Sequence, residues 1–440
     1  MAQSIGITLL GCGVVGKGVI RIINEQRELI HRRTGIMFDL RHVVVRDLAK
    51  HSASSAILPL TTDAVKAIDD PRVGIVVEVM GGVEESAHYI MRALNNGTPV
   101  VTANKSLLAA CGPGLFELAR ENDTCIAFEA SCAAGIPIID ALTRGLAANR
   151  IDAVVGIVNG TCNAILTRMT NDGWSYEQAL AEAQRAGFAE ADPAMDVSGR
   201  DAAQKLAILA SLAFGARIAE ANIHVEGIEG VQQLDIGYAR GLGYVVKLLA
   251  IGRRDAAGRV TLHVHPTLVH RDDVLAEVNG PFNAISVYGS AIGHALFYGR
   301  GAGALPTASA VVSDMIGVAM GTTPLAFRNL QVFPDTLGPV DVLPFEQLET
   351  RYYLRLMARD VPGVLAEIAD RLGRNGISLS AVVQRESNRG EHVPVVITTH
   401  TAREGSMRQA LREIDQLKTI QPPTVCLRIL DQVEEPRSAM

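Results

Sequence analysis

The sequence lacks the features that mark a secreted, membrane-spanning or nucleic-acid-binding protein. Its six cysteines are scattered without a CxxC pair, which argues against a structural zinc site or a disulfide framework and is typical of a reducing compartment. Basic residues are not in excess, since 41 Lys and Arg stand against 47 Asp and Glu, so we expect no nucleic-acid partner and no anionic membrane surface. The N-terminus has no basic segment, and no apolar run approaches the roughly 18 residues that span a bilayer. We therefore expect a cytoplasmic protein without a signal peptide.

Aromatic side chains are also scarce, at 4% of 440 residues, whereas Ala, Val, Ile and Leu dominate. This composition is expected where parallel sheets are packed on both faces. The length allows two or three domains with apolar cores.

The first 130 residues alternate short apolar segments with amphipathic ones. This alternation indicates an α/β fold, with a parallel sheet covered by helices on both faces. The predicted strands are Ile5–Leu10, Leu40–Val45, Val73–Met80, Pro99–Thr102 and Cys125–Phe128, and the predicted helices are Val14–Ile30, Glu84–Asn95 and Leu107–Glu121.

The pattern changes after residue 130. Residues 131–305 are predicted as an α+β substrate and dimerisation domain, in which Val260–Val269 alternates like a half-exposed antiparallel strand. The other predicted elements here are strands at Ile151–Val158 and Ala284–Tyr288 and helices at Ile136–Ala148, Tyr176–Ala186 and Gly199–Phe214, followed by the apolar helix Val311–Met320, part of a return helix at about 306–325 that joins the first domain.

A proline-punctuated linker, residues 326–350, precedes the C-terminal region. Residues 351–440 are predicted to form a βαββαβ module. The elements predicted for it are Tyr352–Ala358, Gly363–Gly373, Val393–Thr399, Glu404–Leu417 and Thr424–Ile429.

The glycine loop between the first strand and the first helix fits GxGxxG. Its glycines are Gly11, Gly13 and Gly16, and Val14 and Val15 lie between them. The first glycine permits a tight turn, the second lets the backbone approach a pyrophosphate, and the third lets helix and strand pack closely. We therefore expect a Rossmann-type domain over residues 1–130 that binds NADP or NAD.

The position of the usual acidic ribose ligand does not decide between the two cofactors. Arg46 could contact a 2′-phosphate, while Asp47 could accept a hydrogen bond from a 2′-hydroxyl. A solvated Arg-Asp turn is an equally good explanation. The cofactor preference stays open, with a slight lean to tolerance of NADP.

Three segments carry candidate chemistry. Lys105 follows a strand and so lies at the carboxyl edge of the sheet, where open α/β sheets bind ligands. Asp201 and Lys205 are four residues apart on an apolar helix, a spacing that is also the commonest surface ion pair. Glu190 and Asp192 lie in a loop that ends at a proline, where carboxylates could bind a substrate ammonium.

Taken together, these motifs resemble the homoserine dehydrogenase family. The resemblance rests on the glycine loop, on TANK at Thr102–Lys105, on NGTCN at Asn159–Asn163, on Gly187–Pro193, and on DVSGRDAAQKL at Asp196–Leu206. The tail, with DVPGVL at Asp360–Leu365 and NGI at Asn375–Ile377, resembles an ACT regulatory domain.

The resemblance implies NAD(P)H-dependent reduction of L-aspartate 4-semialdehyde to L-homoserine, on the route to threonine, isoleucine and methionine. It implies that Lys205 donates the proton, that Lys105 lies beside nicotinamide and substrate, and that Glu190 and Asp201 hold the amino acid. It also implies a sodium ion. The implied ligands are the carboxylate of Glu129 and the backbone carbonyls of Cys132, Ala134 and Ile136.

The resemblance further implies L-threonine as an effector at the ACT domain, and a homodimer or homotetramer. We expect this module to be separable from catalysis, with a purely structural dimerisation domain as the alternative. Two alternative functions are an acylating aldehyde dehydrogenase that uses Cys132, for which no partner histidine is evident, and a non-catalytic NAD-linked amino-acid sensor. His263, His265 and His270 are expected to be ordinary surface residues.

Overall fold

The computed structural model describes residues 3–51, 58–385 and 391–431. Its helices are α1 (Val14–Glu25), α2 (Arg27–Thr34), α3 (Ala64–Ile68), α4 (Glu84–Asn95), α5 (Lys105–Glu121), α6 (Ile138–Asp140), α7 (Gly160–Asp172), α8 (Tyr176–Arg185), α9 (Ala194–Val197), α10 (Arg200–Phe214), α11 (Gln233–Gly241), α12 (Ala304–Ala319), α13 (Thr322–Asn329), α14 (Val364–Arg374) and α15 (Glu404–Ile414). Its strands are β1 (Gln3–Leu10), β2 (Ile36–Val44), β3 (Leu60–Thr61), β4 (Val73–Glu78), β5 (Val100–Thr102), β6 (Ile126–Ala127), β7 (Ile151–Ile157), β8 (His224–Val225), β9 (Tyr244–Arg254), β10 (Val260–His270), β11 (Phe282–Gly289), β12 (Gly293–Arg300), β13 (Glu349–Arg359), β14 (Leu379–Gln384), β15 (His392–Thr399), β16 (Ala402–Arg403) and β17 (Ile420–Ile429).

The chain divides into two compact units. The first contains Met1–Val154, Ala203–Asn222 and Ile285–Val340, and the second contains Val155–Ala202, Ile223–Ala284 and Asp341–Met440. Strand β7 and helix α10 each contribute residues to both units.

The first unit is built on a parallel sheet of six strands in the order β3-β2-β1-β4-β5-β6. The strand order reverses between β1 and β4, and such a switch point opens a crevice at the carboxyl edge of the sheet. Helix α1 starts there and packs tightly on α12, because a Cβ at Gly18 would lie 2.7 Å from the carbonyl oxygen of Ala304. The predicted α/β fold with a Rossmann-type sheet is therefore confirmed.

In the second unit, β9, β10, β17, β13, β15 and β14 are neighbours in that order. Strands β13 to β17 with α14 and α15 form the predicted βαββαβ module. Its core packs Leu354 and Ile397 of the sheet against Ile368 of α14 and Met407 of α15, all fully buried. Strand β17 also pairs in parallel with β10, where Leu268 lies opposite Ile429.

This pairing bears on the expectation that the C-terminal module is separable. The side chain of Arg355 on β13 donates to the buried carboxylate of Asp235 at 2.6 Å, and Arg428 on β17 pairs with Glu226. Removing the module would leave Asp235 without its buried cation and expose an edge of β10. A separable module would tolerate truncation after about residue 345, whereas these contacts lead us to expect that such a truncation destabilises the rest of the second unit.

Several sequence predictions differ from the structure. The helix predicted at Val14–Ile30 is two helices, because the backbone at Gln26 leaves the helical conformation. The helix predicted at Ile136–Ala148 is only α6 followed by a π-type turn over Ala141–Gly145. Strand β10 is buried over nearly its whole length instead of half-exposed, because β9, β17 and β8 all pair with it.

The burial of β10 also corrects the expectation for its histidines. His263 and His265 are 4% and 1% exposed, and their rings stack with centroids 4.8 Å apart. Burial is the main cause that lowers the pKa of both, to about 3 for His265. Only His270, at the end of the strand, is exposed as expected.

Among the described residues, no single helix is both long enough and apolar enough to cross a bilayer. Helices α12 and α13 meet the criterion of length and composition only as a pair, and that pair is bent by 79°.

Candidate active site

The glycine loop has the backbone that the motif predicts. Gly11 has a φ of +103°, and a Cβ there would also lie 3.0 Å from the backbone of Met80. A Cβ at Gly16 would lie 2.2 Å from the carbonyl oxygen of Gly11, so helix and turn touch directly. Only glycine fits at either position.

Gly13 differs from its neighbours because its α-carbon faces open space. No atom lies within 4 Å of an ideal Cβ at this position. Gly13 is also the N-cap of α1, and it offers no side chain to bind the first amides of the helix. Val14 is 71% exposed beside it. Helix α1 therefore presents unsatisfied N–H groups and a partial positive charge to an open cradle, which suits a pyrophosphate.

The end of β2 contacts the glycine loop, because the amide of Gly11 donates to the carbonyl oxygen of Val44 at 3.0 Å, and Arg46 follows two residues later. Arg46 is exposed, and its guanidinium lies 3.6 Å from Glu85, so the pair is weakly held. The carboxylate of Asp47 instead accepts a hydrogen bond of 2.9 Å from the amide of Ala49. At this position Asp47 caps its own turn, whereas Arg46 projects into solvent.

A buried carboxylate that was not singled out from the sequence braces the carboxyl edge of the sheet. Glu78 is fully buried at the end of β4. Its Oε1 accepts from the amides of Met80 and Gly81, and its Oε2 accepts from the Thr102 hydroxyl at 2.6 Å. The signal in the sequence was an acid inside the apolar run VGIVVEVM. The sequence did not show which groups would bind this carboxylate, because they lie at the ends of two neighbouring strands.

Lys105 is the first residue of α5, directly after β5. Its neighbour Asn104 caps the helix by accepting from the amide of Leu107, and its amide donates to the carbonyl oxygen of Gly82 at 2.6 Å. The next hydroxyl, of Ser106, donates to the side chain of Gln204 at 2.9 Å. The hydrogen bonds of Asn104 and Ser106 therefore fix the backbone on both sides of Lys105 at the edge of the sheet.

Lys205 follows Gln204 on α10, so the Ser106–Gln204 hydrogen bond joins the elements that carry both lysines. Lys205 is 9% exposed, and this excludes the surface ion pair that its spacing from Asp201 also allowed. The thiol of Cys132 lies 3.9 Å from the carbonyl oxygen of Lys205. Cys132 is fully buried, which does not suit an acylating nucleophile.

Glu129 is buried in the same unit and lines a cavity of about 500 Å³. Its carboxylate accepts from the amides of Ile139 and Asp140, each at 2.8 Å, at the start of α6. Burial is the main cause that raises the pKa of Glu129 to about 7. Burial also raises the pKa of Asp314, whose carboxylate accepts from the amide of Glu129 at 2.9 Å.

The loop that follows Glu129 supplies backbone oxygens rather than side-chain ligands. Cys132, Ala134 and Ile136 are buried, and the intervening Ala133 has a φ of +48°. The carbonyl oxygen of Ile136 accepts from the amide of Ile138 at 2.8 Å. A carboxylate and backbone carbonyls are hard oxygen donors of the kind that hard cations prefer.

In the second unit, Asp201 is 5% exposed and belongs to a group of three polar side chains. The side-chain amide of Asn159 donates to the carboxylate of Asp201 at 2.8 Å and to that of Asp196 at 2.7 Å. Asn159 is itself 4% exposed and caps α7 by accepting from the amide of Cys162. Sequence reasoning quoted Asn159 in a motif but did not assign it to the site.

Glu190 is exposed in the loop between α8 and α9. The loop is anchored by Thr161, whose hydroxyl donates to the carbonyl oxygen of Phe188 at 2.7 Å. Asp192 accepts from the amide of Ala194 and so supports the turn into α9. Of the two loop carboxylates, Glu190 is the one that faces solvent without a turn-forming hydrogen bond among the described contacts.

Comparison with known proteins gives three family matches along the chain. Residues 11–129 match the homoserine dehydrogenase NAD-binding domain, residues 137–316 match the homoserine dehydrogenase family model, and residues 352–419 match the ACT domain.

Individual relatives match over nearly the whole length. A homoserine dehydrogenase of Pseudomonas aeruginosa is 40% identical over 436 residues, which cover 97% of this chain and 99% of that protein. The crystal structure of a homoserine dehydrogenase from Thiobacillus denitrificans is similar with a TM-score of 0.92 and 41% identity, and the match covers 98% of this chain and 99% of that one. A hyperthermophilic archaeal homoserine dehydrogenase in complex with NADPH matches with a TM-score of 0.61 and 26% identity, covering 72% of this chain and 98% of that one.

Proposed function

The chain belongs to the homoserine dehydrogenase family, and from this premise we propose that it interconverts L-aspartate 4-semialdehyde and L-homoserine with NAD(P)H. The observation that carries the proposal is the Ser106–Gln204 hydrogen bond, which holds the elements of Lys105 and Lys205 together. An aldehyde that receives a hydride develops negative charge on oxygen, and two ammonium groups suit that charge.

We assign the chemical roles as follows. When bound, NAD(P)H supplies the hydride. Lys205 donates the proton to the aldehyde oxygen, and Lys105 stabilises the developing charge. Asp201 and Glu190 bind the substrate's ammonium group through charge-assisted hydrogen bonds. The burial of Lys205 and Asp201 supports these roles because a solvent-exposed pair would be screened.

For the cofactor we propose that Gly11, Gly13, Val14, Val15 and Gly16 bind the pyrophosphate and that NADP is preferred to NAD. The open cradle at Gly13 and the uncapped start of α1 support the first part. The exposed guanidinium of Arg46 supports the second, since it is available to a 2′-phosphate while Asp47 is bound to its own turn.

We propose that a sodium ion binds Glu129 and the carbonyl oxygens of Cys132, Ala134 and Ile136. The residues fit such an ion in three respects. The carboxylate is buried, the donors are hard oxygens, and each carboxylate oxygen retains a lone pair beyond its amide hydrogen bond. A cation there would offset the cost of burying the charge of Glu129.

For the remaining organisation we propose a dinucleotide-binding domain over 1–130 with the return helix, a substrate and dimerisation domain over 131–305, a linker, and a regulatory ACT domain over 351–440. The three family matches support these boundaries. We further propose L-threonine as the ACT effector, a homodimer or homotetramer, and a place in threonine, isoleucine and methionine biosynthesis. The glycine turn at Gly363, with a φ of +97° before α14, supports a ligand-binding turn in the ACT domain.

The test is an assay of nicotinamide reduction with L-homoserine, run first with NADP and then with NAD. Homoserine-dependent turnover that is faster with NADP at low cofactor concentration is expected. An enzyme that does not oxidise homoserine with either cofactor would contradict the proposed reaction, and a preference for NAD would contradict the role given to Arg46. Adding millimolar threonine to the same assay tests the effector.

A further inference from the structure

The side-chain amide of Asn159 is shared by two carboxylates. Its Nδ2 donates to Asp196 Oδ1 at 2.7 Å and to Asp201 Oδ2 at 2.8 Å. Each of the two N–H bonds of one amide group therefore serves a different acid. The other polar atom of the side chain, Oδ1, accepts from the backbone amide of Cys162, so both polar atoms are fixed.

The chain is folded so that the two acids meet at this amide. Asp196 belongs to the short helix α9 and Asp201 to the first turn of α10. Between them Gly199 has a φ of +81°, and a Cβ there would lie 3.1 Å from Val225. The turn thus requires glycine in both conformation and space, and it brings two acids five residues apart onto one donor.

Asp201 is buried and Asp196 is half-buried, and two carboxylates that share one donor repel each other. The amide of Asn159 offsets this by donating one hydrogen bond to each acid. The hydrogen bond from Asn159 therefore holds the carboxylate of Asp201 in one orientation.

We propose that Asn159 is a positioning residue of the reaction, which orients the carboxylate of Asp201 toward the substrate's ammonium group. Asn159 itself does not touch the reacting atoms. This inference rests on the proposed function, because it needs Asp201 to bind substrate.

Two substitutions separate the bridge from the helix cap. Asn159→Ser keeps an N-cap hydroxyl for α7 but is too short to bridge two acids. Asn159→Asp keeps the shape and the cap, but replaces the shared donor by a third carboxylate. The matched control is Ser175→Ala, which removes the side-chain cap of the neighbouring helix α8 at an exposed position.

The expected result is a fall in kcat/KM for homoserine of about tenfold or more in Asn159→Ser, mainly through KM, with the KM for NADP unchanged. Asn159→Asp should also shift the acid limb of the pH profile of kcat/KM upward by about one unit or more, because three carboxylates then cluster. Ser175→Ala should change neither quantity.

Wild-type kcat/KM and pH profile in both Asn159 variants would overturn the proposal and leave the function standing. Normal behaviour of Asn159→Asp beside an impaired Asn159→Ser would also overturn it, because the amide donor would then be dispensable. If Asn159→Ser does not fold, the kcat/KM and the pH profile of the isosteric Asn159→Asp decide whether the proposal stands. A wild-type enzyme that does not oxidise homoserine would overturn the proposed function first, before any variant is compared.

Discussion

The hydroxyl of Ser106 donates to the side-chain oxygen of Gln204 across 2.9 Å, although the two residues are 98 positions apart. Ser106 follows Lys105 at the start of α5, and Gln204 precedes Lys205 on α10. The bond therefore ties together the backbones from which the two lysines project. It gives the assignment of a lysine pair a structural basis that spacing in the sequence does not provide.

The open space at Gly13 predicts a selective loss of cofactor binding. In Gly13→Val the side chain would occupy the cradle at the start of α1 without meeting another protein atom, so the fold should persist. NADP binding, measured by fluorescence titration, should be lost while the far-UV circular dichroism stays unchanged. Gly114→Val, at an exposed position of α5 where a Cβ also meets nothing, is the matched control. Unchanged NADP affinity in Gly13→Val would contradict the proposal that the glycine loop binds the pyrophosphate.

The buried carboxylate of Glu129 predicts that sodium stabilises the fold. Thermal unfolding is compared in sodium chloride and in choline chloride at equal ionic strength. The free energy of unfolding should rise with sodium, by about 2.7 kcal/mol at a hundredfold excess over its Kd. Glu129→Gln should abolish the difference, because the neutral side chain no longer supplies an anion. Equal stability of the wild-type protein in both salts would contradict the sodium site.

The stacked histidines of β10 predict a loss of stability in acid. Burial lowers the pKa of His265 to about 3, so the unfolded chain binds protons below pH 6.5 that the folded chain does not. At one pH unit below 6.5, each of the two histidines then lowers the free energy of unfolding by about 1.4 kcal/mol. His265→Asn should flatten the dependence of the unfolding temperature on pH between about pH 5.5 and 7.5, one unit on either side of the unfolded histidine pKa. The control is His270→Gln, at an exposed position, which should leave the pH dependence of the unfolding temperature unchanged. The same pH dependence in the wild-type protein and in both variants would contradict the destabilising role of the buried histidines.

A buried arginine and an exposed arginine of the C-terminal module are predicted to contribute unequally to stability. Arg428 is 4% exposed and binds the buried Glu404 as well as Glu226. Arg428→Met leaves a buried carboxylate with fewer donors and should cost about 3–5 kcal/mol of unfolding free energy. Arg403→Met, which removes an exposed pair with Glu349, should cost at most about 1 kcal/mol. If denaturant unfolding shows equal losses of unfolding free energy in both variants, the buried ion pairs of Arg428 contribute no more than an exposed pair.

The elements that the sequence predicted well are those with a local signal. Glu84–Asn95 is amphipathic and followed by Gly97, and the helix has those bounds. Strand β9 was missed because YVVKLLAIGRR has no alternation; its burial comes from the strands that pair with it. The outward assignment of His263 and His265 failed for the same reason, since neutral histidines are buried when distant strands cover them.

The candidate site shows the same division. The glycine loop and Lys105 are found at their predicted places, because strand and helix boundaries define them. Glu78 and Asn159 were not identified, because their roles depend on Thr102 and on Asp196 with Asp201, which lie 24 or more positions away. Partners at that distance are known only once the chain is folded.

The most direct test of the account is the turnover of Lys205→Ala with L-homoserine and NADP. Removing the buried ammonium removes the proton donor but neither the glycine loop nor the carboxylates, so kcat should fall on the order of a hundredfold or more while NADP affinity changes little. Lys66→Ala, at an exposed position of α3, is the control and should keep full turnover. A Lys205→Ala enzyme that retains most of its kcat would contradict the assignment and leave Lys105 as the next candidate donor.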